Sequence, residues 1–124
     1  MRYICLVHFD IQATIAAMSP AEQRQLDIDS LAYDEELKAN GNLVVAEALQ
    51  PGENVVLVRV RNGAMSATDG PFIETKEQLA GFVLIEARDL NDAVRIAAGI
   101  PLAKYGTIEV RAMYEIPQHE QPAG

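Results

Sequence analysis

Two rhythms of apolar residues alternate along this chain. Residues 2–8 are apolar at nearly every position, with Tyr3, Cys5 and Val7 on one side of a strand and Ile4 and Leu6 on the other. The spacing then lengthens. Ser19-Pro20-Ala21-Glu22 marks a helix start, because Ser19 offers a cap, Pro20 suits the first helical position and Glu22 completes a capping box. Leu26, Ser30, Tyr33 and Leu37 follow at helical spacing, and Asn40-Gly41 supplies a left-handed exit. Residues 43–49 read as a second strand, ended by Gln50-Pro51-Gly52. Residues 55–61 and 64–68 read as a hairpin around Asn62-Gly63, a pair that accepts the positive φ angles of a tight type I′ turn. Asp69-Gly70-Pro71-Phe72 breaks that sheet and opens a polar loop through Gln78. Residues 81–87 return to strand. Asp89 caps a second helix whose buried stripe is expected at Leu90, Ala93, Val94 and Ala97, with Gly99 and Pro101 as its stop. Residues 107–115 form the last strand, and residues 117–124 read as a flexible tail.

With the hairpin set aside as an insertion, the order is strand, helix, strand, strand, helix, strand. That is an α+β, ferredoxin-like βαββαβ pattern, with an antiparallel sheet and both helices on one face. Such a sheet needs an apolar side only where helices cover it. Here Val83 and Ile85 point one way and Phe82 and Leu84 the other, so the second face needs a cover too. A second copy of the same sheet is the economical answer, which predicts a homodimer.

Composition narrows the function. The 124 residues make one domain, expected over residues 1–116, and 49% of them are hydrophobic. The net charge is −8, from 10 Lys+Arg against 18 Asp+Glu, and no basic cluster is present, which argues against nucleic-acid binding. The single cysteine, Cys5, excludes an intramolecular disulfide and suits a reducing compartment. No run is long enough to span a bilayer and the N-terminus lacks the form of a signal peptide, so a cytoplasmic place without membrane contact is expected. One cysteine and two distant histidines, His8 and His119, give no metal-ligand spacing, and no cofactor is expected.

The run Thr68-Asp69-Gly70-Pro71-Phe72-Ile73-Glu74-Thr75-Lys76-Glu77, with Gly81-Phe82 and later Gly106-Thr107-Ile108-Glu109-Val110-Arg111, resembles the YCII-related proteins of the DGPF type. The resemblance spans about residues 2–115. It implies a dimeric α/β-barrel, in which two ferredoxin-like units pack sheet to sheet. Relatives in the wider superfamily include small-molecule enzymes and haem proteins, and some DGPF-type members are encoded with, or fused to, sigma factors. Members nearer the YCII type pair an aspartate with a histidine of the first helix. Residues 20–40 hold no histidine here, so that pair is not carried over.

Three groups of residues could carry chemistry. Asp69 and Glu74 are candidate general bases, Lys76 a clamp for an anion, and Phe72 a wall of the same loop. The bland alternative is a structural turn with Phe72 in the core. Glu109 and Arg111 leave one face of the last strand, as Arg59 and Arg61 do on theirs; Arg59 and Arg111 are candidate ligand contacts, with structural ion pairs as the competing role. His8, at the end of the first strand near Asp10, is a candidate acid–base group, and Tyr33 is either a ligand contact or core. The reading is a homodimer that binds a small polar or anionic molecule in a cleft between helices and sheet, with acid–base turnover as the chemistry these groups allow. Its rival is a non-catalytic interaction module that helps regulate a sigma factor.

Overall fold

The computed structural model describes residues 1–50, 55–70 and 76–119. Its element order is β1 (Arg2–Phe9), α1 (Ile11–Ala16), α2 (Pro20–Ala39), β2 (Leu43–Ala48), β3 (Val56–Arg61), β4 (Ala64–Asp69), β5 (Gln78–Glu86), α3 (Leu90–Ala98), a 3₁₀ turn (Pro101–Lys104) and β6 (Thr107–Ala112). Four strands form one antiparallel sheet in the order β2-β5-β1-β6, and β3 pairs with β4 apart from it. The fold is therefore ferredoxin-like with an added hairpin, as the strand and helix order implied.

Local signals explain most boundaries. The Ser19 hydroxyl accepts from the Glu22 amide at 3.1 Å and the Glu22 carboxylate accepts from the Ser19 amide at 3.2 Å, so both halves of the capping box are made. Gly41 takes φ +77° where α2 turns into β2. Asn62 at φ 52° and Gly63 at φ 75° make the tight hairpin turn. Asp89 accepts from the Asp92 amide at 2.8 Å and starts α3.

Alternation along the strands sorts the sheet into two faces. Tyr3, Cys5, Val7, Val83 and Ile85 turn toward the helices and join Leu37, Ala93, Ile96, Ala97 and Ile100 in the core. Tyr33 spans this layer, its hydroxyl donating to the Ile96 carbonyl at 2.6 Å. The α3 stripe differs from expectation. Ala93, Ile96 and Ala97 are buried, whereas Leu90 and Val94 are 55% and 51% exposed. The helix is rotated because Asp92 turns inward, where it accepts from the Arg88 amide at 3.0 Å and from Arg95 Nη2 at 2.7 Å. With its hydrogen bonds made, a carboxylate can be buried there without an orphaned charge.

Two elements lie outside the sequence reading. The six-residue helix α1 follows directly on β1, started by Asp10, whose carboxylate accepts from the Ala13 amide at 3.0 Å. The 3₁₀ turn after Ile100 shows little in the sequence beyond Pro101, which reads as a stop as easily as a start. The last strand ends at Ala112, three residues short of the expected end, although the Met113 amide still bonds the Arg2 carbonyl at 2.9 Å.

Candidate functional site

Among the described residues, the opposite face of the sheet carries no helix of the core. Ile4 and Leu6 of β1 and Phe82 and Leu84 of β5 form its apolar centre, half-buried and paired Ile4 to Leu84 and Leu6 to Phe82. Charged groups surround this centre. At one end Arg2 and Glu86, paired across strands, meet at 2.8 Å. At the other end the strand register gathers a polar cluster.

That cluster is built from β1 and β6. Leu6 pairs with Glu109 and His8 with Thr107, so His8 and Glu109 lie diagonally on the same open face. His8 Nε2 is 3.1 Å from Glu109 Oε1. Arg111 Nε donates to the other oxygen, Glu109 Oε2. The carboxylate is thus bridged between an imidazole and a guanidinium, with His8 28% and Glu109 37% exposed at the side chain. Arg111 first and His8 second hold the Glu109 carboxyl below its usual range. Next to them, Thr107 Oγ1 donates to Glu77 Oε1 at 3.1 Å, bringing the residue before β5 to the same end of the sheet.

The chemistry of the cluster follows from its hydrogen bonds. A carboxylate accepts and cannot donate, so the imidazole proton belongs on Nε2 and the lone pair of the neutral ring on Nδ1. A histidine oriented in this way by a carboxylate is a competent proton acceptor. Arg111 holds the carboxylate ionised and in place.

The other sequence candidates fall in separate places. Phe72 and Glu74 lie outside the described residues, so the convergence of Asp69, Glu74 and Lys76 does too. Asp69 ends β4 opposite Val56, and both it and Lys76 are exposed. Arg59 lies on the exposed hairpin. Tyr33 is committed to the helix layer, on the far side of the sheet from His8. Core side chains lie between helices and sheet, and the polar cluster sits on the reverse face. Glu109 entered the sequence reading only as a charge paired with Arg111, and Thr107 and Glu77 had no assigned role. Cys5 is fully buried and its thiol is pushed up to about 11 by desolvation, which leaves it inert. Among the described residues, no three His, Cys, Asp or Glu side chains are placed to share a metal ion, and no helix is long and apolar enough to cross a membrane.

A ferredoxin-like sheet with one open, polar-rimmed face defines the broad class. The family model for the YCII-related domain matches residues 1–117, and the chain belongs to that family. It is 33% identical over 115 residues to an uncharacterised protein of Rhizobium meliloti (strain 1021), a match covering 91% of this chain and 92% of that one. Among solved structures it is similar to 5-chloro-2-hydroxyhydroquinone dehydrochlorinase from Burkholderia phenoliruptrix AC1100, in complex with 2,5-dihydroxybenzoquinone. The TM-score is 0.52 at 16% identity, over 92% of this chain and 94% of that one. At that identity the likeness is one of fold.

Proposed function

We propose that this YCII-related domain binds a small polar molecule at the His8–Glu109–Arg111 cluster, working as a homodimer through the open sheet face. The observation that carries the reading is the 3.1 Å contact between His8 and Glu109 at the border of an otherwise apolar face. At the rim of the seam between the two sheets, the apolar side chains nearest the cluster bury the body of a small molecule, and the cluster supplies the few convergent polar groups that orient it. His8 is the acid–base residue of this reading, Glu109 orients it, and Arg111 attracts an anionic substituent while keeping Glu109 ionised. The histidine–carboxylate pair is supplied by two neighbouring strands, β1 and β6. The fold-sharing dehydrochlorinase holds a small hydroxylated ring, which agrees with a ligand of this size. Asp69 and Lys76, which precedes Glu77 in sequence, are kept as contributors.

The test is ligand mapping by amide NMR with a panel of small hydroxylated and carboxylated ring compounds. The expected result is a binder whose shifts cluster at Ile4, Leu6, His8, Phe82 and Glu109. His8→Gln and Glu109→Gln should each weaken it while leaving the melting temperature in place. Shifts confined to the helix layer, or binding indifferent to both variants, would overturn the reading.

A further inference from the structure

The β3–β4 hairpin is a second sheet with an apolar face that no described element covers. Cross-strand pairing aligns Val58 with Ala67 and Val60 with Met65, next to Val56, so these side chains form one continuous strip. Val56, Val58 and Val60 are 58%, 62% and 59% exposed, and Met65 is 71% exposed. A two-stranded hairpin is at best marginally stable in water by itself and needs a surface to pack against. Exposed valines on alternate positions, with arginines on the reverse face, are the pattern of a strand pair covered on one side.

We propose that this hairpin is an arm that seats its valine strip on a second copy of the chain, reciprocally, beside the open sheet faces. The inference rests on the homodimer reading given above and adds the element that secures it. Interface area is the argument. With strands about 4.8 Å apart and about 3.3 Å per residue, the open face offers a flat footprint of roughly 400 Å² per protomer. That is a small footprint beside the roughly 800 Å² of accessible surface per partner that a stable interface buries. The hairpin, two strands of six residues, offers roughly 200 Å² by the same spacing and covers a like area of whatever it meets. Reciprocal exchange about doubles the footprint of each protomer, toward the size a specific dimer needs. Exposed apolar groups flank the open face on both edges, Val45 and Leu49 at β2 and Tyr114 and Ile116 beyond β6, so a landing surface exists on either side. The occupant is a second copy because the valine strip and the exposed apolar groups that flank the open face lie on one chain, and a two-fold operation brings them together reciprocally.

The experiment measures dimer affinity by sedimentation equilibrium for the full chain and for Val58→Lys/Val60→Lys. Ser66→Lys, on the reverse face of the same hairpin, is the control. The arm predicts at least a tenfold weaker dimer for the double variant and a change below twofold for Ser66→Lys, with unchanged far-UV circular dichroism. Because Cys5 is buried, Val58→Cys gives one reactive thiol for a photo-crosslinker. Mixed light and heavy protomers should then yield crosslinked peptides joining different chains. A dimer of unchanged affinity, or crosslinks confined to one chain, overturns the arm and leaves the dimer standing. A monomeric wild type defeats both readings. Should the double lysine variant fail to fold, the crosslink decides.

Discussion

Replacing Gly106 by alanine should unsettle the sheet and the polar cluster together. Gly106 is the residue before β6, and its amide bonds the Leu102 carbonyl at 3.0 Å as the chain leaves the 3₁₀ turn. A methyl group there would meet the His8 carbonyl and lie 2.6 Å from Phe9 Cβ and 2.9 Å from Phe9 Cα. Carbon atoms prefer separations near 3.5–4.0 Å, so β1 and the start of β6 must part by about 1 Å. Most of the obstruction is backbone, which cannot swing aside as a side-chain tip would. Overpacking of this kind costs about 1–3 kcal/mol, and one weakened ladder bond near the His8–Thr107 pair adds about 1 kcal/mol. A loss of about 3 kcal/mol lowers the melting temperature of a domain this size by roughly 10–15 °C. Urea titration should show a lower midpoint with an unchanged slope, since the native state keeps its extent of burial. The same parting lengthens the 3.1 Å contact between His8 and Glu109, so ligand binding should fall even well below the melting point. A variant that melts within about 3 °C of wild type would refute the reasoning.

Four further outcomes are expected. The Asp92 carboxyl is pulled down to about 2, first by the Arg88 amide and then by Arg95. Its folded pKa is depressed, so its contribution is present above about pH 4 and is lost as pH falls toward 2; acid melting curves of Asp92→Asn should lack that segment of the wild-type loss. Tyr33→Phe should cost about 1 kcal/mol by removing the hydroxyl's bond to the Ile96 carbonyl, which then keeps only the Gly99 amide, read by urea denaturation, with ligand affinity unchanged. Cys5 should resist a thiol reagent in the native protein and react fully in denaturant, and rapid native labelling would contradict its burial. Asp69→Asn, at the exposed end of β4, should shift stability by no more than about 0.5 kcal/mol. A larger loss by denaturation would make it a structural turn residue.

The fold was legible because its signals are local or periodic. The Ser19–Glu22 capping box, the Asn62-Gly63 turn and the Asp89 cap each act within four residues, and each forms as its residues imply. Two-sided apolar strands gave the open face from parity alone, with Val83 and Ile85 buried and Phe82 and Leu84 left half-covered. Parity has no counterpart for a short helix such as α3, where Leu90 and Val94 fit an apolar stripe as well as Ile96 does. The choice was made by Asp92, whose hydrogen bonds with the Arg88 amide and with Arg95 reward turning a carboxylate inward. No hydrophobic pattern announces that. Helix α1 was missed for a related reason: six residues are too few to show a period, and Asp10 reads equally as a strand-end charge.

The cluster was half legible, and the missing half is register. Residue types singled out His8 and Arg111, and parity put Glu109 and Arg111 on one face, but His8 and Glu109 are separated by 101 positions in sequence. Nothing local couples residues so far apart. The topology does. Once β1 and β6 are neighbours and antiparallel, as a ferredoxin-like order requires, the end of β1 must lie beside the start of β6. Open-face parity then leaves His8, Thr107 and Glu109 within one diagonal step of each other, and the structure fixes that step by pairing Leu6 with Glu109. In the run Asp69–Lys76 the charges are adjacent in sequence, and Glu74, on which their convergence depends, lies outside the described residues. A carboxylate and an imidazole on neighbouring strands are held by a hydrogen-bonded ladder on a packed sheet. Rigid elements of that kind place polar groups with the precision that acid–base chemistry needs.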